Sequence, residues 1–170
     1  GGVLDRRVEL VSCDDKSRPE EGVKCVQRLI DQDGVDAIVG TLHSPIISAT
    51  APIVDENQVP MVGAGTGVAW CNEGFEYVWR ETANSDANAA AIRQAIEESD
   101  WSTLGILYQN DDYGASGAES LASIGGIEVV AEETYNPADR DYSGQIINLL
   151  GANPDAIAVW GLGDTLGPVT

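Results

Sequence analysis

The sequence predicts an α/β fold of doubly wound, mostly parallel sheets in two lobes, each incomplete within these 170 residues. Three observations carry that expectation. Short apolar runs alternate with stretches of helical periodicity, the rhythm of an open parallel sheet covered by helices. A small, polar stretch at 82–88, without a core pattern, interrupts the rhythm, which then restarts. Hydrophobic residues make up 43% of the chain, enough for a packed core and too many for a disordered segment.

The elements follow in order. Val8 to Cys13 reads as a strand, and Arg18-Pro19 then opens a helix through about Gln32. Pro19 suits a first helical turn, where its missing N–H removes no bond. Val23, Val26, Leu29 and Ile30 form the apolar stripe of that helix, and Gly34 ends it. Val35 to Gly40 is the next strand, Ile46 to Glu56 a helix opened by Ser44-Pro45, and Val59 to Val62 a strand. Tyr77 to Arg80 is a further short strand. Beyond the polar stretch come helix Ala89–Glu98, strand Leu104–Tyr108, helix Gly114–Ser123, strand Ile127–Glu132, helix Tyr142–Leu150 and strand Ala156–Trp160. The expected division is an amino-terminal lobe over 1–83 and a carboxy-terminal lobe over 84–170.

Charge narrows the function. Nine Lys and Arg face 28 Asp and Glu, a formal net charge of −19. A field of that sign repels phosphate backbones, so nucleic acid is not an expected partner. The acids are scattered, as on a solvated surface that tolerates high salt, and a halophilic source accounts for them best, an ordinary acidic bacterial protein being the alternative. No apolar run reaches the roughly 18–20 residues of a membrane span, and no charged-then-apolar leader opens the chain. Gly1-Gly2-Val3 reads instead as the interior of a domain. Cys13, Cys25 and Cys71 lack the paired short spacings of a zinc site; one disulfide with a spare thiol and three buried thiols are both compatible with them.

In parallel α/β sheets, ligands bind where strand carboxyl ends meet helix amino termini. Three loops fit. Leu42-His43-Ser44-Pro45 offers free backbone N–H groups and the Ser44 hydroxyl to a carboxylate; alternatively Ser44 simply caps its own helix. Gly63-Ala64-Gly65-Thr66-Gly67 lets a ligand approach the backbone and adds the Thr66 hydroxyl. Its spacing is not G-x-G-x-x-G, and no clear helix begins directly after it, so a dinucleotide site is not expected. Gly161-Leu162-Gly163 departs from that fingerprint too, and its looser match at Gly167 is followed by Pro168. The third loop, Asn110-Asp111-Asp112-Tyr113-Gly114, presents Tyr113 to a ligand. Asp111 and Asp112 have no third hard ligand at a fixed spacing, so they read as complements to a helix amino terminus and no metal is expected. His43, the only histidine, reads as a structural hydrogen-bonder. With no G-x-S-x-G, H-E-x-x-H or Walker loop there is no catalytic set. Neither an enzyme nor a cofactor is expected.

At these residues the chain resembles the type I periplasmic solute-binding proteins of branched-chain amino-acid ABC transporters. Gly1 to Leu10 is similar to the family's turn into its second strand, Ile38-Val39-Gly40 with Ser44 to the first ligand loop, and Val59-Pro60-Met61-Val62 with Gly65-Thr66 to the second. Leu107 to Gly114 resembles the loop whose tyrosine covers the ligand, and Asp139 to Ile146 the next helix start. The resemblance implies an extracytoplasmic receptor, periplasmic or extracellular and either free or lipid-anchored. Its partners would be a small-molecule ligand, an amino acid, and the membrane permease of an ABC transporter. Ser44 and Thr66 would bind the α-carboxylate, the Gly65 carbonyl would accept from the ammonium, and Tyr113 would close the site from the other lobe. Where the family often has an aromatic after the last strand, this chain has Gly163, with Trp160 the nearest ring. Binding of an amide, urea or aromatic solute, a sensory or regulatory domain of the same fold, and an enzyme on a doubly wound fold are the alternatives.

Overall fold

A computed structural model describes Gly2 and residues 4–163; Gly1, Val3 and the Gly167-Pro168 match lie outside the described residues. The order is α1 (Pro19–Asp31), β1 (Ile38–Val39), α2 (Ser44–Glu56), β2 (Met61–Gly63), α3 (Ala69–Asn72) and β3 (Val78–Arg80). There follow α4 (Ser85–Glu97), β4 (Thr103–Gln109), α5 (Asp112–Ala122), β5 (Glu128–Tyr135), α6 (Ser143–Gly151) and β6 (Ala156–Trp160). The strands form two three-stranded sheets, β1-β2-β3 and β5-β4-β6, and every pairing is parallel. None of the described helices is long and apolar enough to cross a membrane.

Parallel strands need crossover connections, and here they run through helices that bury apolar side chains on the sheet, the four-residue α3 burying Trp70 alone. In the first sheet one face is covered: Val26 and Leu29 of α1 and Ile47, Ala51 and Val54 of α2 pack with Ile38, Met61, Trp70 and Val78. The opposite face shows Val39 and Trp79 to solvent. The second sheet is wound on both faces. Ala89 and Ile96 of α4 and Ala118 and Leu121 of α5 pack with Leu104, Ile106 and Trp160. On the other face Leu149 of α6 joins Leu107, Tyr135 and Tyr142.

Several expected elements differ. Val8 to Cys13 is not a strand. A period-two run becomes one only beside a partner, no described segment pairs with it, and Val8 and Leu10 stand exposed. It is held instead by the Cys13–Cys25 disulfide to α1 and by Arg28 Nη2, which donates to the Ser12 carbonyl; Cys71 is free and exposed. The Val35–Gly40 run pairs only at Ile38 and Val39. The polar 82–88 stretch is partly helical: Asn84 caps α4, its side chain accepting from Ala87 N–H at 3.0 Å, so the helix starts at Ser85, about a turn before the expected Ala89. A four-residue helix, α3, does follow the Gly63–Gly67 loop.

Candidate functional site

The second sheet has its switch point at β4, which lies between β5 and β6 with α5 and α6 on opposite faces. Ligands in such sheets lie beyond the carboxyl end of that strand. There Asp111 caps α5, accepting from Gly114 N–H at 2.9 Å, and its side chain also accepts from Gln109 Nε2. The turn is tight enough to require Gly114, since a Cβ there would stand 1.8 Å from the Gln109 carbonyl oxygen. Tyr113, in the first turn of α5, is half-buried with its ring 6.0 Å from that of Trp160. Burial and, secondarily, the Asp111 charge raise its phenol above its usual pKa.

The loops of the first sheet converge on the same place. Ser44 is the first residue of α2 and His43 its N-cap, so the Ser44 hydroxyl does not cap its own helix. It is 1% exposed and accepts from Gly67 N–H at 3.0 Å, across 23 residues of sequence. Gly65 and Gly67 fit because they lack side chains; a Cβ on Gly65 would meet Ile47 Cδ1 at 2.7 Å and Ser44 Oγ at 2.9 Å. A Cβ on Gly67 would also lie 3.6 Å from the Asp112 carbonyl oxygen, which puts this loop against the start of α5. Val68 N–H donates to Ser116 Oγ of α5 at 3.2 Å, a direct bond between the loop of one sheet and the helix of the other.

Thr66 lies in the same loop. Its carbonyl accepts from Ser85 N–H at 2.9 Å and Ser85 Oγ at 3.2 Å, whereas its Oγ1, like the Ser48 hydroxyl, is buried with no hydrogen-bond partner among the described residues. Buried hydroxyls are rarely left so, and each such group asks for an explanation.

Next to these loops is a cleft of about 210 Å³ lined by Ser17, His43, Pro45, Gln109, Asp111 and Leu162, among others. His43 makes no side-chain hydrogen bond among the described residues, so it is not the structural hydrogen-bonder expected of it. A larger hollow of about 990 Å³ separates the 4–15 segment from α1 and β1. It follows the β1 edge, and neither hollow is lined by Ser44, Gly65, Thr66 or Tyr113. The described residues hold no group of three or more His, Cys, Asp or Glu able to bind a metal. The sequence patterns overlooked Arg80, Ser85 and Ser116, which bond to the loop backbone from elsewhere in the chain.

A family model for periplasmic binding proteins matches residues 1–169. Leu/Ile/Val-binding protein homolog 3 of Brucella melitensis is 25% identical over 163 residues, covering 92% of this chain and 44% of that protein. The chemotactic signal transduction system substrate-binding protein BasB of Halobacterium salinarum is 25% identical over 169 residues, covering 95% of this chain and 41% of its own length. The crystal structure of a leucine binding protein from Thermotoga maritima superposes with a TM-score of 0.83 at 30% identity, covering 92% of this chain and 46% of that one. The chain therefore spans less than half the length of these relatives.

Proposed function

Because this chain belongs to the periplasmic binding protein family, we propose that it forms part of an extracytoplasmic receptor that binds a free amino acid and is not itself an enzyme. The lobes are assigned to 1–83 and 84–170, and the solute lies where the loops after β1 and β2 meet the start of α5. The observation that carries this is the Thr66 hydroxyl, buried with no hydrogen-bond partner among the described residues, in the loop whose Gly67 N–H meets buried Ser44. Two hydroxyl donors and the amino terminus of α2 form a set suited to a carboxylate. Ser44 and Thr66 donate to that carboxylate, the Gly65 carbonyl accepts from the ammonium, and Tyr113 covers the ligand from the second lobe. Branched-chain residues are the first solutes to test, since two relatives carry Leu/Ile/Val-binding or leucine-binding names. The receptor delivers its solute to the permease of an ABC transporter, in the periplasm or at the outer surface, free or lipid-anchored.

Calorimetry of the full-length protein with L-leucine, L-isoleucine and L-valine tests this against their methyl esters. The free acids should bind and the esters should not, because an ester has lost the charge that the hydroxyls and helix terminus recognise. Equal affinity for acid and ester would remove the carboxylate role and favour an amide or urea ligand. A second reading, delivery of the bound solute to a chemoreceptor, is supported by the Halobacterium salinarum relative, a substrate-binding protein of a chemotactic system. Co-purification with a permease as opposed to a transducer separates the two.

A further inference from the structure

Among the nine Lys and Arg, Arg80 has an unusual setting. It ends β3, is partly buried, and forms no ion pair with any described carboxylate in a chain of 28 acids. Two guanidinium nitrogens donate to backbone instead: Nη2 to the Gly67 carbonyl at 3.0 Å and Nη1 to the Thr66 carbonyl at 3.3 Å, while Nε is buried with no hydrogen-bond partner among the described residues. The Cζ atom stands 4.8 Å from the ring centroid of Trp70, itself 1% exposed. The planar fork of arginine is thus held by an aromatic face and spans two consecutive carbonyls, a geometry that a lysine ammonium cannot reproduce.

The consequence follows from the planarity of the peptide. In a trans peptide the C=O and the following N–H point in opposite directions. Drawing the Thr66 carbonyl toward Arg80 turns Gly67 N–H away from it, and that N–H is the one that meets Ser44 Oγ. Drawing the Gly67 carbonyl toward Arg80 likewise turns Val68 N–H outward, to Ser116 Oγ of α5. One side chain therefore sets the direction of two successive amides. The first faces the hydroxyl assigned to the ligand, and the second crosses to the other sheet.

We propose that Arg80, backed by Trp70, is the positioning residue of the ligand loop: it aims Gly67 N–H at Ser44 Oγ, the hydroxyl assigned to the solute, and Val68 N–H at Ser116 Oγ of α5. Its role in affinity rests on the solute-binding reading above, whereas its role in aiming the amides does not. Arg80 itself does not touch the solute.

The test compares Arg80→Gln and Arg80→Lys with Arg93→Gln, which alters charge at an exposed helical ion pair far from this loop in sequence. Amide hydrogen exchange of Gly67 and Val68 in the full-length protein is the primary readout, with core amides of β2 and β4 as internal reference. Arg80→Gln should accelerate exchange at Gly67 and Val68 by about tenfold or more relative to the core, the scale of one lost charge-assisted hydrogen bond. Arg80→Lys should recover less than half of the lost protection on a logarithmic scale, and Arg93→Gln should change nothing. In the same samples, L-leucine affinity should fall at least about tenfold in Arg80→Gln. If exchange at all amides rises together, Arg80 is merely structural and the proposal fails. It fails equally if Arg80→Lys matches the wild type, since charge alone would then suffice. A wild type that binds no amino acid while Gly67 and Val68 respond as expected would defeat the solute assignment and leave the positioning role intact.

Discussion

Thr66→Val is the most informative substitution, because it should raise stability and lower affinity together. Valine has the shape of threonine with a methyl in place of the hydroxyl, so packing around β2 is preserved. In the free protein Thr66 Oγ1 is buried without a partner among the described residues, and an unsatisfied buried polar group costs roughly 1–3 kcal/mol. Removing it should stabilise the ligand-free protein by about 1 kcal/mol or more. For a chain of this size that corresponds to a rise of about 2–4 °C in Tm per kcal/mol. In the complex the hydroxyl is proposed to donate to a carboxylate, a charge-assisted bond whose loss costs roughly 1–3 kcal/mol, or about 5- to 150-fold in Kd. Differential scanning calorimetry without ligand and titration calorimetry with L-leucine read the two effects separately. Lower stability with unchanged affinity would refute the reasoning, since the hydroxyl would then have a structural partner and no solute. Thr66→Ser, which keeps the donor, should retain most of the affinity.

Gly117→Ala should destabilise by roughly 1–3 kcal/mol, because the new Cβ would stand 2.2–2.3 Å from three indole atoms of Trp160; the loss should shrink in a Trp160→Leu background, and chemical melts of the four proteins measure it. Asp155 accepts from the N–H and hydroxyl of both Ser102 and Thr103, which hold its carboxyl down from 3.8 to about 2. The contribution of this group is therefore complete above its unfolded value and is lost as pH falls toward about 2, so Asp155→Asn should differ from wild type above pH 3.8 and converge with it below about 2. Melts across that range check the sign, and a gap that widens on acidification would contradict it. The net charge of −19 should make Tm rise from low to molar KCl as self-repulsion is screened. A Tm indifferent to salt would remove the halophilic explanation of the composition.

The alternation of apolar runs with helical stripes was enough to specify a parallel α/β chain, because both periodicities are local. Val26 and Leu29 mark a helix face, and Leu104 to Leu107 mark a strand buried on both sides, whatever lies far away in sequence. Ser44, Thr66 and Tyr113 were legible as strand-end positions for the same reason, each lying shortly after an apolar strand, although Ser44 and Tyr113 stand in the first turns of α2 and α5. Local pattern misplaced what depends on a distant partner. Val8 to Cys13 has strand periodicity but no described neighbour to pair with, and α4 begins in a polar turn whose cap is a single side-chain bond from Asn84. Only the tertiary structure decided that the Ser44 hydroxyl meets Gly67, that the Thr66 hydroxyl meets nothing described, and that Arg80 holds both carbonyls between them. Those contacts join the loop after β2 to the start of α2 and the end of β3, 13 to 23 residues away. No period in the sequence encodes them; they exist because three parallel strands bring their carboxyl ends to one edge.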